Sequence, residues 1–323
     1  MNIPYGKFRI SKKETNGPLN LHKTIISAQT SEPEWTKEGE FLVNIQKLHG
    51  VPVKCSLSQE GTVDDFSIVV RYLPSQSSER LQEALASHLN RVLGLQDDLL
   101  SFYQIHSSAK EPLSSTFAVL RGLRLMRATD LYESLICSIL SQNNSAVRWN
   151  QIAKLLKRYY GKRVNFADDT SYYLFPRPED LAKQTERELQ LRTGMGYRAK
   201  SVLRASRMVD DNELDLASLR ERDYEESMEI LLQLPGVGPK VADCFLLYGA
   251  GNLRAAPVDV WIHRIVTELY FKGRRVTRPR TAKFLRDRFG IWAGYAQLYL
   301  FDYARHHAPG RKSAKNIMAS HAS

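Results

Sequence analysis

The chain has 323 residues, 43% of them hydrophobic and 25% charged, with 46 Lys and Arg against 35 Asp and Glu for a formal net charge of +11. This composition excludes a mainly disordered chain, the length suffices for two or three domains with a sizeable core, and the cationic excess favours a polyanionic partner such as nucleic acid. No apolar run approaches the roughly 20 residues of a membrane span, and the first residues lack the apolar stretch of a secretory signal, so an intracellular protein with no membrane partner is expected.

Up to about Leu73 the pattern is strand-like. Phe41 to Leu48 (FLVNIQKL) and Phe66 to Leu73 (FSIVVRYL) are rich in β-branched and aromatic residues, with His49-Gly50 and Glu60-Gly61 as turn signals, which predicts a small antiparallel sheet. From Ser75 to Leu93 the spacing becomes helical, with Leu81, Leu85, Leu89 and Leu93 on one face, as for a helix packed on that sheet. Beyond Ser114 nearly everything reads as helix: Tyr132 to Gln142, Val147 to Tyr160, Pro178 to Ala182, Thr185 to Arg192, Arg198 to Val209, Tyr224 to Leu232, Lys240 to Tyr248, Val260 to Leu269, Arg280 to Phe289 and Ala293 to His306. The expected fold class is therefore α+β: an N-terminal domain over 1–113 with an antiparallel sheet and helix, then a helical region over 114–323. The helical region holds a helix-hairpin-helix at about 224–249 and a basic tail, Gly310 to Lys315. The three cysteines, Cys55, Cys137 and Cys244, are scattered and form no CxxC pair, so neither a disulfide framework nor a zinc site is expected, and four cluster thiolates are lacking.

The most informative segment is Leu234 to Lys240, LPGVGPK, between two amphipathic runs. Pro235 ends the first helix, Gly236 and Gly238 supply backbone angles closed to other residues, and the second helix begins near Pro239. Such a hairpin exposes backbone N–H groups at a helix start and binds a phosphate without reading its base, which makes Gly236, Val237 and Gly238 the phosphate-binding turn. The plainer reading is an ordinary connection between two helices. Further on, Asp259 stands in APVDVW. Aspartate is a favoured helix N-cap, and beside a DNA-binding hairpin its carboxylate also suits the stabilisation of a cationic sugar while a nearby lysine attacks the anomeric carbon.

LPGVGPKVADC followed by PVDVW resembles the signature of the helix-hairpin-helix DNA glycosylases, and among them most the 8-oxoguanine glycosylase/lyase branch. The resemblance implies a bifunctional enzyme in which Lys240 forms a Schiff base and Asp259 assists, so that base excision is followed by β-elimination at the abasic site. Monofunctional relatives lack that lysine, and the endonuclease III branch keeps it but ends in a four-cysteine iron–sulfur motif. The likeness runs from about Gly122 to His306. Ser141-Gln142-Asn143-Asn144 is similar to the family's SSNN stretch, which gives Asn143 the role of filling the space left by a flipped nucleotide. By the same likeness Arg148 contacts the base opposite the lesion, Tyr197 wedges between base pairs and Arg198 reads the opposite cytosine. Ala296 to Phe301 (AQLYLF) resembles the lesion-pocket segment, so Gln297 hydrogen-bonds the edge of the oxidised guanine while Phe301 and Cys244 sandwich its ring. Taken singly, Phe301 and Cys244 also read as plain core.

Two features depart from the family pattern. A histidine is usual two residues after the aspartate, where this chain has Trp261, with His263 further on either as a substitute or as a surface or core residue. The N-terminal third, including Val92-Leu93-Gly94-Leu95-Gln96, looks closer to the 3-methyladenine glycosylases of alkylation repair. An alkylated-base glycosylase is therefore the alternative, and a non-catalytic DNA-binding module a further one; retention of both Lys240 and Asp259 speaks against the latter. The run Lys272, Arg274, Arg275, Arg278, Arg280, Lys283, Arg286 and Arg288 is partly a solvated face and partly a source of phosphate contacts. The expected partner is double-stranded DNA carrying a damaged base, bound by a monomer. Neither a redox cofactor nor a catalytic metal is expected; the resemblance implies only a monovalent cation on the hairpin carbonyls when DNA is bound.

Overall fold

The β-branched and aromatic runs form strands, as their composition predicts. In the computed structural model, which describes residues 5–27, 29, 35–48, 50–76 and 80–306, β1 (Gly6–Ser11), β2 (Thr36–Glu38), β3 (Phe41–Leu48), β4 (Val51–Gly61) and β5 (Phe66–Pro74) make one antiparallel sheet in the order β1-β5-β4-β3-β2. His49 of the first expected turn and the basic tail lie outside the described residues. At the second turn Gly61 has φ +86°, and a Cβ there would strike the Asp65 carbonyl, so glycine is required.

Helix α1 (Leu21–Ile26), which the sequence pattern did not reveal, and α2 (Leu81–Val92) precede the helical region. Leu81, Leu85, Leu89 and Leu93 are all buried and share a core with Ile10, Leu57, Ile68 and Val70 of the sheet, so the four-residue spacing becomes the packed face. In β4, Val51 to Leu57 are buried at every position rather than alternately. The sheet's other face is covered by an unanticipated hairpin, β6 (Arg163–Asn165) and β7 (Ser171–Tyr173), whose Val164 and Phe166 cluster with Leu73. The Asp168 carboxylate, in the turn between them, accepts bonds from Thr170 Oγ1 (2.5 Å), Tyr5 OH (2.5 Å) and Lys54 Nζ (2.9 Å), and these bonds hold its pKa far below the usual carboxylate range against the opposing effect of burial.

The remaining helices are α3 (Leu99–Ile105), α4 (Phe117–Leu120), α5 (Leu131–Leu140), α6 (Ala146–Tyr160), α7 (Pro178–Ala182), α8 (Glu186–Thr193), α9 (Arg198–Asp210), α10 (Tyr224–Leu232), α11 (Pro239–Cys244), α12 (Val260–Phe271), α13 (Arg278–Phe289) and α14 (Ala293–His306). Side chains of Asp130, Ser145, Thr185, Asp223, Asp259 and Thr277 each accept a backbone N–H in the first turn of the helix that follows, which fixes where six of these helices begin. In α5 every residue from Tyr132 to Leu140 is buried, so it is the central helix of the region.

The division expected at 113/114 does not follow the packing. Leu99, Phe102, Tyr103 and Leu113 belong to the helical core, while Met126 belongs to the sheet core. The chain crosses the seam there, and the fully buried Arg124 guanidinium ties it by donating to the carbonyls of Asn16, Pro18, Gly94 and Asp97. Two helices also end differently from expectation. α5 stops at Leu140, leaving Ser141 to Asn144 as a turn, and α11 loosens after Cys244 into a π-turn over Phe245–Ala250.

Candidate functional site

The hairpin between α10 and α11 is anchored by Leu234 and Val237, both buried, with Val237 N–H donating to the Leu234 carbonyl (3.0 Å). Pro235 and Gly236 are thereby held outward. Gly236 has φ +80°, and a Cβ there would overlap Ser201 Oγ of α9. Gly238 is different: with φ −98° and ψ 176° it is extended backbone that any residue adopts, and a Cβ on it would meet no protein atom within 4 Å. The expectation of a special conformation at both glycines therefore holds only for Gly236. At Gly238, glycine leaves the start of α11 open, a helix start with no side-chain cap and with Pro239 as its first residue.

In the first turn of that helix, directly after Pro239, Lys240 Nζ donates to Ser141 Oγ (3.1 Å), and Ser141 Oγ in turn donates to the Ser138 carbonyl (2.8 Å). The rigid end of α5 thus orients the amine. Cys244, a turn further along, is 9% exposed; burial pushes its thiol pKa up, opposed by the nearby Lys240 ammonium and reinforced by Asp243 and Asp259. Asp259 caps α12, with Oδ1 accepting from Ile262 N–H (2.8 Å), so the bland reading of this residue is correct as far as it goes. It is also close enough to Cys244 and Tyr248 for its negative charge to push both their pKa values up. Tyr248 OH, in the π-turn, donates to Gln297 Oε1 of α14 (3.4 Å). Lys240, Cys244, Asp259 and Gln297 are thereby brought together, joined by Ser141 and Tyr248. The role of Ser141 was invisible because its partner is 99 residues away, and that of Tyr248 because its partner Gln297 is 49 residues away.

Asp243, adjacent to Cys244, is a buried carboxylate pushed up to about 6 by desolvation. It accepts from Tyr224 OH (2.9 Å) on the hairpin's first helix and faces Arg286 of α13 (3.8 Å), so it staples the hairpin to the neighbouring helix.

A second group surrounds the turn after α5. Asn143 is exposed with φ +47°, a left-handed conformation that Asn tolerates better than most residues, and its Nδ2 donates to Tyr197 OH (3.3 Å). Tyr197 is 57% exposed. Arg198 is 9% exposed and donates to the carbonyls of Gln142 (Nε, 2.9 Å, and Nη2), Asn143 (3.1 Å) and Met195 (3.3 Å). Its donors are turned onto the backbone of the Asn143 turn, so in this structure it is a strut for that turn. Arg148 is exposed on α6, held by one bond to the Gly194 carbonyl (3.0 Å). Gln142 Nε2 donates to the Gly236 carbonyl (3.0 Å) and so links this turn to the hairpin.

Phe301 lies one turn beyond Gln297 on α14, half-buried, with the Arg305 guanidinium stacked 5.2 Å from its ring centre. His263 is turned aside, its Nδ1 bonded to Thr281 Oγ1 of α13 (2.9 Å). Of the basic run, Arg286 stacks on Tyr224, Arg288 bonds Glu111 and Lys283 pairs with Asp287, while Lys272, Arg274, Arg275, Arg278 and Arg280 are exposed. Among the described residues no three of His, Cys, Asp and Glu are grouped to hold a metal.

Residues 136–290 match the family model for HhH-GPD superfamily base excision DNA repair proteins. The chain is 35% identical over 308 residues to a probable N-glycosylase/DNA lyase of Methanothermobacter thermautotrophicus, covering 90% of this chain and 94% of that protein. It is 31% identical to the N-glycosylase/DNA lyase OGG1 of Arabidopsis thaliana, over 90% of this chain and 78% of that one. Among solved structures, MBOgg1 in complex with a low-affinity DNA ligand superposes with a TM-score of 0.78 at 29% identity, covering 94% of this chain and 99% of that one.

Proposed function

Because the chain belongs to the HhH-GPD superfamily of base excision DNA repair proteins, we propose that Lys240 and Asp259 are the catalytic pair with which it works as an N-glycosylase/DNA lyase on 8-oxoguanine opposite cytosine. The observation that carries this assignment is the Lys240 amine held by Ser141 one turn before Cys244, a buried thiol that feels both the lysine and the Asp259 carboxylate. Lys240 Nζ, once it has lost a proton, attacks C1′ as the C1′–N9 bond breaks. The bonding pair leaves with the base, which takes up a proton, and Asp259 offsets the positive charge that develops on the sugar. Ring opening gives an iminium between Lys240 and C1′. Loss of a C2′ proton then expels the 3′ phosphate by β-elimination, and hydrolysis of the iminium frees the lysine.

The remaining roles follow from the two groups of side chains. Gln297 reads the edge of the flipped base, with Cys244 and Phe301 on its faces; for Phe301 this requires Arg305 to give way. Asn143 and Tyr197 fill and wedge the duplex, since the scissile bond is out of reach in a stacked base pair. The hairpin takes one phosphate at the open start of α11, and a monovalent cation on its carbonyls when DNA is bound belongs to the same proposal, as does action as a monomer. Borohydride with a duplex carrying 8-oxoguanine opposite cytosine tests the reading: wild type yields a covalent adduct, and Lys240→Gln loses it while still binding the duplex. No adduct from wild type refutes the Schiff-base step, and a preference for 3-methyladenine refutes the lesion assignment.

A further inference from the structure

Gln297 and Tyr248 are buried together, 5% and 7% exposed, with the Tyr248 hydroxyl donating to Gln297 Oε1 at 3.4 Å. A glutamine amide has two chemically opposite ends, and which end meets a ligand depends on what holds the other. Here the choice is set by the phenol. Tyr248 lies on the π-turn that continues the Lys240 helix, and burial, with Cys244 and the Asp259 carboxylate nearby, keeps the phenol protonated and therefore able to donate. The partner that matches a donating phenol is the amide oxygen. Oε1 is thereby engaged by the protein, which leaves the Nε2 amide as the end offered to a base.

We infer that Tyr248 is a specificity-determining positioning residue that orients Gln297 to present an N–H donor, so that the pocket selects purines with a carbonyl rather than an amino group at the 6-position. With Nε2 opposite the 6-position, a 6-oxo group accepts from it; a 6-amino group there points a donor at a donor, and the base must shift to bring its N1 acceptor onto Nε2 instead. The inference rests on the proposed role of Gln297 in reading the base and deepens it, since the family likeness assigns nothing to Tyr248.

The test is a double-mutant cycle of Tyr248→Phe and Gln297→Ala in the full chain, read by single-turnover excision from duplexes carrying 8-oxoguanine or 8-oxoadenine, with strand cleavage at a preformed abasic site as the reference. Tyr248→Phe removes one oxygen and keeps the ring. The expected result is a five- to tenfold narrowing of the 8-oxoguanine over 8-oxoadenine preference, of the order that follows from losing one hydrogen bond. The ratio of 8-oxoguanine excision to abasic-site cleavage should fall by a similar factor, and the double variant should behave like Gln297→Ala alone. The inference is overturned if the preference is unchanged, if the two substitutions act independently, or if excision and abasic-site cleavage fall together. Failure of the functional proposal looks different: wild type would cleave abasic sites yet excise neither oxidised purine. The same cycle run on whichever base it does excise then still reports whether Tyr248 acts through Gln297.

Discussion

Arg198→Ala separates a base reader from a structural strut. The guanidinium supplies three backbone carbonyls, those of Gln142, Asn143 and Met195, and stacks 4.6 Å from the Tyr197 ring centre. A hydrogen bond from a charged donor contributes about 1.5–3 kcal/mol, but the Asn143 turn lies near solvent and water will recover part of each. The net loss is then on the order of 2–4 kcal/mol, or about 3–6 °C in melting temperature for a chain of this size. The left-handed Asn143 backbone is the first thing to relax when its carbonyl is released, so the gap-filling amide should lose its position. Thermal melts and single-turnover excision with each of the four bases opposite the lesion are the assays. The expected outcome is a lowered melting temperature with a similar fall in excision for every opposite base. Arg148→Ala is the contrast: one bond from an exposed side chain leaves stability within about 0.5 kcal/mol, while the preference for cytosine is compressed by an amount worth about 1–3 kcal/mol. An Arg198→Ala protein that melts like wild type but has lost its preference for cytosine would refute the strut and restore the direct-reading role.

Asp259→Asn keeps the cap on α12, so its melt should be unchanged within about 0.5 kcal/mol, while single-turnover excision drops on the order of a hundredfold; near-normal excision would leave Asp259 a cap only. Gly236→Ala should destabilise the fold, because the residue is left-handed and its new methyl meets Ser201, whereas Gly238→Ala should melt normally and weaken duplex binding. Equal melts for the two would contradict the geometry of the turn. His88, pushed down to about 4 by burial and by Arg91 and Arg220, is neutral in the folded protein, so the stability it contributes is present above its unfolded value near 6.5 and is lost as pH falls toward 4. His88→Gln should flatten that part of the stability-versus-pH curve in chemical denaturation, and an unchanged slope would assign the acid sensitivity elsewhere.

Features encoded within a few residues were legible from the chain alone. The spacing of Leu81, Leu85, Leu89 and Leu93 sets a buried helix face, the Asp259 cap sets a helix start, and LPGVGPK sets a hairpin with a lysine in the first turn of the next helix, because periodicity, capping and turn chemistry act locally. What those signals cannot carry is partnership across the fold. Gln142 meets Gly236 at a separation of 94 residues, Lys240 meets Ser141 at 99, and Lys54 meets Asp168 at 114. The direction in which Arg198 points, the loosening of α11 into a π-turn and the pairing of Tyr248 with Gln297 are likewise outcomes of packing among distant segments. A residue type at a motif position states which bonds a side chain is able to make, and only the neighbours assembled by the tertiary structure decide which of them it does make.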